Sequence, residues 1–176
     1  MIIKNKINDQ EKIEAIYNLC NDCNFPYYWN ENQIYPNNPM KQYGGFTHNL
    51  YKENNIYSNV FNIFDDLVKE IFKKEQIYIK SLVRMQVNLS LNINLDDEEL
   101  KNAIHQDMDL PNYKSLIYYI GDSDGDTIIY NEDKSILDAI QPIKGNYVIF
   151  NSNTFHRASI PKTYKKRMVI NCIVEV

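Results

Sequence analysis

His105 and Asp107 stand two residues apart in the stretch AIHQDMDL, and His156 closes the run NYVIFNSNTFH further along the chain. Side chains two apart on a strand point to one face, so His105 and Asp107 can reach the same ion. Two ligands do not make a site; His156, just after a strong strand pattern, supplies a third. Two imidazoles and one carboxylate form a facial ligand set for a divalent transition metal, with the opposite coordination positions open. Arg167 begins the last strand-like run, RMVINCIVEV. An antiparallel return through ASIPKTYKK would carry it back beside His156, where a guanidinium is suited to bidentate capture of a carboxylate.

These residues need elements to hold them, and the chain reads as two halves of different periodicity. DQEKIEAIYNLCND (9–22) places Ile13, Ile16, Tyr17 and Cys20 on one helical face, with Asp9 as the N-cap. FPYYWNENQIYPNNPMKQYGGFTHNLYKENN then reads as a long irregular segment, a kind of loop that is often functional. Ser58 is expected to open a second helix, SNVFNIFDDLVKEIFKKEQ. Its Val60, Phe61, Ile63, Phe64, Leu67, Val68, Ile71 and Phe72 form a broad apolar stripe for packing on a sheet.

After Gln76 short strand-like runs take over: 77–92, 113–121, 126–131, 146–151 and 167–176, with SDGD and IKGN as the clearest turns. In the first of these, Leu82, Arg84, Gln86 and Asn88 share one face, and Val83, Met85, Val87 and Leu89 the other. Helices followed by many strands indicate a mainly β, α+β fold, a sandwich or barrel with helices on one face. No repeat or low-complexity linker divides the chain. Residues 1–176 are therefore expected to form one domain, 1–76 as helical support and loop and 77–176 as the β core.

The order of these elements resembles the 2-oxoglutarate/Fe(II)-dependent dioxygenases, in their prolyl-4-hydroxylase-like branch. The resemblance covers about Arg84 to Val176 and rests on HQD (105–107), LIYYIGDSDGDTIIYNE (116–132), Pro142 with Gly145, YVIFNSNTFH (147–156) and Arg167. It implies a double-stranded β-helix, the jelly-roll or cupin-like core. His105, Asp107 and His156 would bind Fe(II), and Arg167 would hold the distal carboxylate of the co-substrate 2-oxoglutarate. Tyr119 would bond the same carboxylate, and Ile117 would line the pocket. O₂ is the second co-substrate, and ascorbate is a potential stimulant. The family reaction releases succinate and CO₂ while hydroxylating a small-molecule, peptide or protein substrate; an amino-acid or peptidyl side chain, proline first, is the expected target. Asp126 replaces the second glycine of the family's usual hairpin pair, and Val169 the usual small or polar residue after the arginine. Asn171, two further on, is a candidate to hold a water or assist the distal carboxylate. Compact members are similar to ones encoded by bacteriophages, which suits a chain rich in Asn, Ile, Lys and Tyr.

Composition narrows the alternatives. An apolar share of 44% and a net charge of −4 describe a globular chain with no general attraction for nucleic acid. No apolar run approaches membrane-spanning length and the start lacks a signal h-region, so a cytoplasmic setting is expected, the host's if the source is viral. Repair of alkylated nucleic acid on the same fold is the competing enzyme reading, and no second arginine follows Arg167 to support it. A non-catalytic jelly-roll binding module is the third reading.

Several residues have plainer explanations. Cys20 and Cys23 form a CxxC without a second pair, so buried or half-buried reduced thiols are expected. GDSDGDT lacks the spacing of a calcium loop and reads as a solvated hairpin. His48 is expected to make a local hydrogen bond, and Arg157, beside His156, to face solvent. PYYWN (26–30) reads as a packing cluster or a lid. Arg84 and Asn88 could look into the barrel toward substrate or be structural.

Overall fold

A computed structural model describes residues 1–30, 44–93 and 104–176. Asp9 caps helix α1 (Gln10–Asn21) by accepting the Lys12 N–H at 3.0 Å. Helix α2 (Phe61–Lys74) buries Phe61, Phe64, Leu67, Val68, Ile71 and Phe72. It starts later than Ser58, whose hydroxyl instead accepts the Val60 N–H at 3.3 Å. The apolar stripe is narrower than expected, because Ile63 is 49% exposed.

Eleven strands are described: β1 (Ile2–Lys6), β2 (Tyr28–Asn30), β3 (Gly45–Lys52), β4 (Asn55–Ile56), β5 (Ser81–Leu91), β6 (Tyr113–Tyr119), β7 (Thr127–Tyr130), β8 (Ile136–Ile140), β9 (Asn146–Asn151), β10 (His156–Ala158) and β11 (Lys166–Glu175). A large antiparallel sheet runs β1-β9-β6-β11-β5-β3-β2, with β4 paired to β3. A small sheet runs β10-β7-β8, and His105 adds an isolated antiparallel bridge to His156.

The alternation of each strand divides the core in two. Leu116, Tyr118, Tyr147, Ile149, Met168, Ile170 and Cys172 join the helices' apolar faces in one cluster. Ile117, Tyr119, Val148, Phe150 and Val169 point the other way and meet Ile129 of the small sheet. This is the expected jelly-roll with N-terminal helices against one sheet. Strands β1 and β3 were not expected. IIKNK and GFTHNLYK carry weak local alternation, and their pairing with β9 and β5 comes from distant sequence. Among the described residues, no helix is long and apolar enough to cross a membrane.

Candidate metal centre and carboxylate pocket

His105 and His156 are held by a reciprocal pair of backbone hydrogen bonds, 3.0 and 2.9 Å, that joins their two segments. Asp107 N–H donates to the Ser152 carbonyl at 2.9 Å and brings its side chain to the same place. One ligand atom from each of the three residues lies within 4.8 Å of the others. His156 Nε2 is 3.6 Å from Asp107 Oδ2, and His105 Nε2 is 4.0 Å from Oδ1. His156 Nδ1 lies 3.0 Å from the Thr154 carbonyl, which can only accept, so that nitrogen carries a proton. The Nε2 lone pair is thereby left for a cation, the orientation metal-binding imidazoles generally need.

The Asp107 carboxylate is almost fully buried, at 3% exposure, and both oxygens are engaged. Ser115 Oγ donates to Oδ2 at 2.6 Å and Arg84 Nη2 to Oδ1 at 3.1 Å. Burial pushes its pKa up, but His156, Arg84, His105 and the Ser115 hydroxyl outweigh that and hold it below the ordinary carboxylate value. A buried, ionised, hydrogen-bonded carboxylate between two imidazoles is a donor set that fits a divalent transition metal.

Deeper along the same interior face lies a second polar cluster. Arg167 is buried; its Nε donates to the Gly125 carbonyl at 2.6 Å and its Nη2 to Thr127 Oγ1 at 2.9 Å. Tyr119 donates to the same Thr127 oxygen at 2.9 Å. Burial lowers the Arg167 pKa, opposed by Tyr119 and Asp126, and pushes the Tyr119 hydroxyl up to about 12. Among the described residues, both acceptors on Arg167 are neutral and no carboxylate pairs with it. Gly125 permits the close approach: a Cβ there would come within 2.7 Å of the Ser159 carbonyl and 3.0 Å of Arg167 Cδ. The Asp126 replacement leaves this cradle in place, and the Asp126 carbonyl accepts the Ser159 N–H at 2.8 Å.

Ile117 is buried in the interior cluster between the two polar sites. Asn171 sits on the Arg84 side, its Oδ1 accepting Nη2 at 3.1 Å, and not in the Arg167 cluster. Thr127 and Ser115 are the site-lining partners that the sequence reading left unassigned, and Arg84, read as facing the barrel or structural, holds Asp107. The signal for Thr127 is its position, just past the Gly125 hairpin and two residues before the inward-facing Ile129.

Other expectations resolve away from the site. His48 lies on β3, with Nδ1 2.7 Å from the Pro26 carbonyl and Nε2 2.8 Å from Ser58 Oγ, a local role. Arg157 is not in solvent: it is 6% exposed and donates to Tyr130 Oη at 2.7 Å and Ser159 Oγ at 3.2 Å. The acidic hairpin ties loops together, Asp124 accepting the Lys162 and Thr163 N–H groups and Asp122 that of Lys144. Cys20 is buried as a free thiol, whereas Cys23 is free and exposed rather than half-buried. In PYYWN, Tyr27 packs against Phe25 and Trp29 against Phe46. The long segment read as irregular contains β2, β3 and the start of β4, and its residues 31–43, like residues 94–103 before His105, lie outside the described residues.

No family model and no curated protein matches the chain. Solved structures do. A prolyl-4-hydroxylase of Pseudomonas putida is similar over 99% of this chain and 91% of its own, at 12% identity and a TM-score of 0.63. A Burkholderia pseudomallei oxidoreductase of the 2OG-Fe(II) oxygenase family is similar over 98% and 84%, at 11% identity and a TM-score of 0.66. A Trichoplax adhaerens prolyl hydroxylase, solved with a peptide fragment of the hypoxia-inducible factor oxygen degradation domain, is similar over 99% and 82%, at 12% identity and a TM-score of 0.62. The chain has the fold of these proteins.

Proposed function

We propose that this chain is an Fe(II)- and 2-oxoglutarate-dependent dioxygenase that hydroxylates an amino-acid or peptidyl side chain, with proline as the first candidate. The observation that carries the reading is the buried Arg167. Among the described residues its partners are all neutral; a buried guanidinium so placed is costly unless an anion completes it, and the distal carboxylate of 2-oxoglutarate would do so. The His105, Asp107 and His156 donor set stands on the same interior face, as a co-substrate that chelates a metal at one end and meets a guanidinium at the other requires.

His105, Asp107 and His156 would hold the iron. Bound there with 2-oxoglutarate and O₂, it supplies oxidative decarboxylation to succinate and CO₂ coupled to substrate hydroxylation. The chain's own residues bind, orient and exclude water. Arg167 anchors the co-substrate's distal carboxylate, and Tyr119, protonated at neutral pH, would turn its single O–H from Thr127 Oγ1 toward it. Ile117, Val148 and Val169 form the dry wall between the two ends. Ser115 and Arg84 hold the Asp107 carboxylate in place.

The test is succinate release from 2-oxoglutarate in the presence of Fe(II), ascorbate and candidate substrates, together with equilibrium binding of both ligands. Metal and 2-oxoglutarate binding that is lost in Arg167→Ala for the co-substrate alone supports the reading. A wild type that binds neither ligand ends it.

A further inference from the structure

The interior face of the large sheet continues past β11. Cross-strand register places Tyr119, Val169, Asn88, Thr47 and Tyr28 in one row. The next row holds Ile117, Asn171, Gln86 and Asn49. Directly opposed residues share a face, so each row is one continuous strip of side chains. On the β6 side the rows are buried and mostly apolar. Across β5, β3 and β2 they turn to carboxamides and hydroxyls: Gln86 and Asn88 are half-buried, Thr47 is buried, and the rows end at the exposed Asn49 and Tyr28. Thr47 Oγ1 lies 3.3 Å from Asn88 Oδ1, which links two strands of this wing.

Arg84 stands level with the metal ligands at the start of the same wing, opposite Ile173 on β11. Both of its hydrogen bonds leave from Nη2, to Asp107 and Asn171. Its Nε is buried and has no partner among the described residues, while the side chain as a whole is 31% exposed. One edge of the guanidinium is thus fixed beside the metal ligand, and donor capacity remains for another acceptor.

We propose that the β5–β3–β2 wing is the substrate-recognition surface and takes a polar substrate of the amino-acid or peptide class, with Arg84 receiving its carboxylate or carbonyl oxygen. The inference rests on the oxygenase reading. Gln86 and Asn88 each offer a donor and an acceptor, the pairing that amino and amide groups need, and among the described residues the two rows present carboxamides and hydroxyls there rather than an aliphatic wall. Free amino acids supply a carboxylate and peptides a carbonyl; both meet Arg84 with the same acceptor chemistry.

The experiment first measures Mn(II) and 2-oxoglutarate binding to the wild-type protein, which tests the oxygenase reading alone; failure there removes both. Succinate release is then measured with the free L-amino acids and with the same residues as N-acetyl amides. Stimulation by at least one compound is expected. Response to the free acids alone assigns the carboxylate to Arg84, and response to the capped forms assigns the carbonyl. For that compound, Gln86→Ala and Asn88→Ala should raise KM roughly tenfold with a smaller change in kcat. Arg84→Met should raise KM and lower kcat, with Arg84→Lys recovering part of the loss. If Arg84→Met does not fold, the two β5 amide variants decide. The inference is overturned if no compound stimulates a protein that binds metal and 2-oxoglutarate. It is equally overturned if KM stays within about twofold of wild type in the Gln86 and Asn88 variants.

Discussion

Tyr119 and Arg167 donate to one atom: Oγ1 of Thr127 receives the phenol and the guanidinium Nη2, each at 2.9 Å. The hydroxyl therefore fixes both groups that would meet the co-substrate's distal carboxylate. Thr127→Val keeps the shape and removes the shared acceptor. The 2-oxoglutarate Kd should rise roughly tenfold or more, the cost of a hydrogen bond to a charged group. Calorimetric titration of the Mn(II)-loaded protein reads it, and an unchanged Kd would show that Thr127 does not position the pair.

Gly125→Ala should disturb the same pocket by a different route. Its Cβ would meet backbone at Ser159 and the Arg167 side chain, so the guanidinium must shift. Overpacking of this kind costs about 1–3 kcal/mol. Lower thermal stability together with weaker 2-oxoglutarate binding is expected; a fully stable variant with wild-type affinity would mean the cradle is not tight.

The narrowed stripe of α2 separates two neighbouring apolar residues. Leu67 is 1% exposed and its truncation to alanine should cost about 2–5 kcal/mol. Ile63 is 49% exposed, and Ile63→Ala should stay within about 0.5 kcal/mol. Urea unfolding of the two variants checks the order, which reverses if Ile63 packs on the sheet.

The Asp124 clamp gives a pH signature. Against a burial penalty, the Thr163 hydroxyl and the N–H groups of Thr163, Lys162 and Tyr164 hold its pKa at about 2, below the ordinary 3.8. A depressed folded-state pKa contributes stability that is complete above the unfolded value and lost as pH falls through the folded one. The difference in Tm between wild type and Asp124→Ala should thus be constant above about pH 4 and close toward about pH 2. A difference independent of pH in that window would assign the clamp to shape rather than charge.

Strands β6, β7, β9 and β11 and the order of His105, Asp107, His156 and Arg167 were legible because alternation and spacing are local properties of the chain. What was not legible depends on long-range pairing. Strands β1 and β3 gain their order from β9 and β5, and Arg84 meets Asp107 only because β5 lies beside β11. Arg157 illustrates the same limit. Alternation places it opposite His156, but whether that side is wet depends on Tyr130 and Ser159, which supply its partners. His48 reads as a loop histidine in sequence and proves to be a strand residue whose partners come from Pro26 and Ser58.

The central claim is that His105, Asp107 and His156 form one metal centre. Anaerobic calorimetric titration of Fe(II) into the metal-free protein tests it most directly, on wild type and on His105→Ala and Asp107→Ala. The wild type should bind iron, and each variant should lose more than about 100-fold in affinity, beyond the usual effect of removing a supporting residue. Unchanged iron affinity in both variants would contradict the oxygenase reading and favour a non-catalytic jelly-roll module.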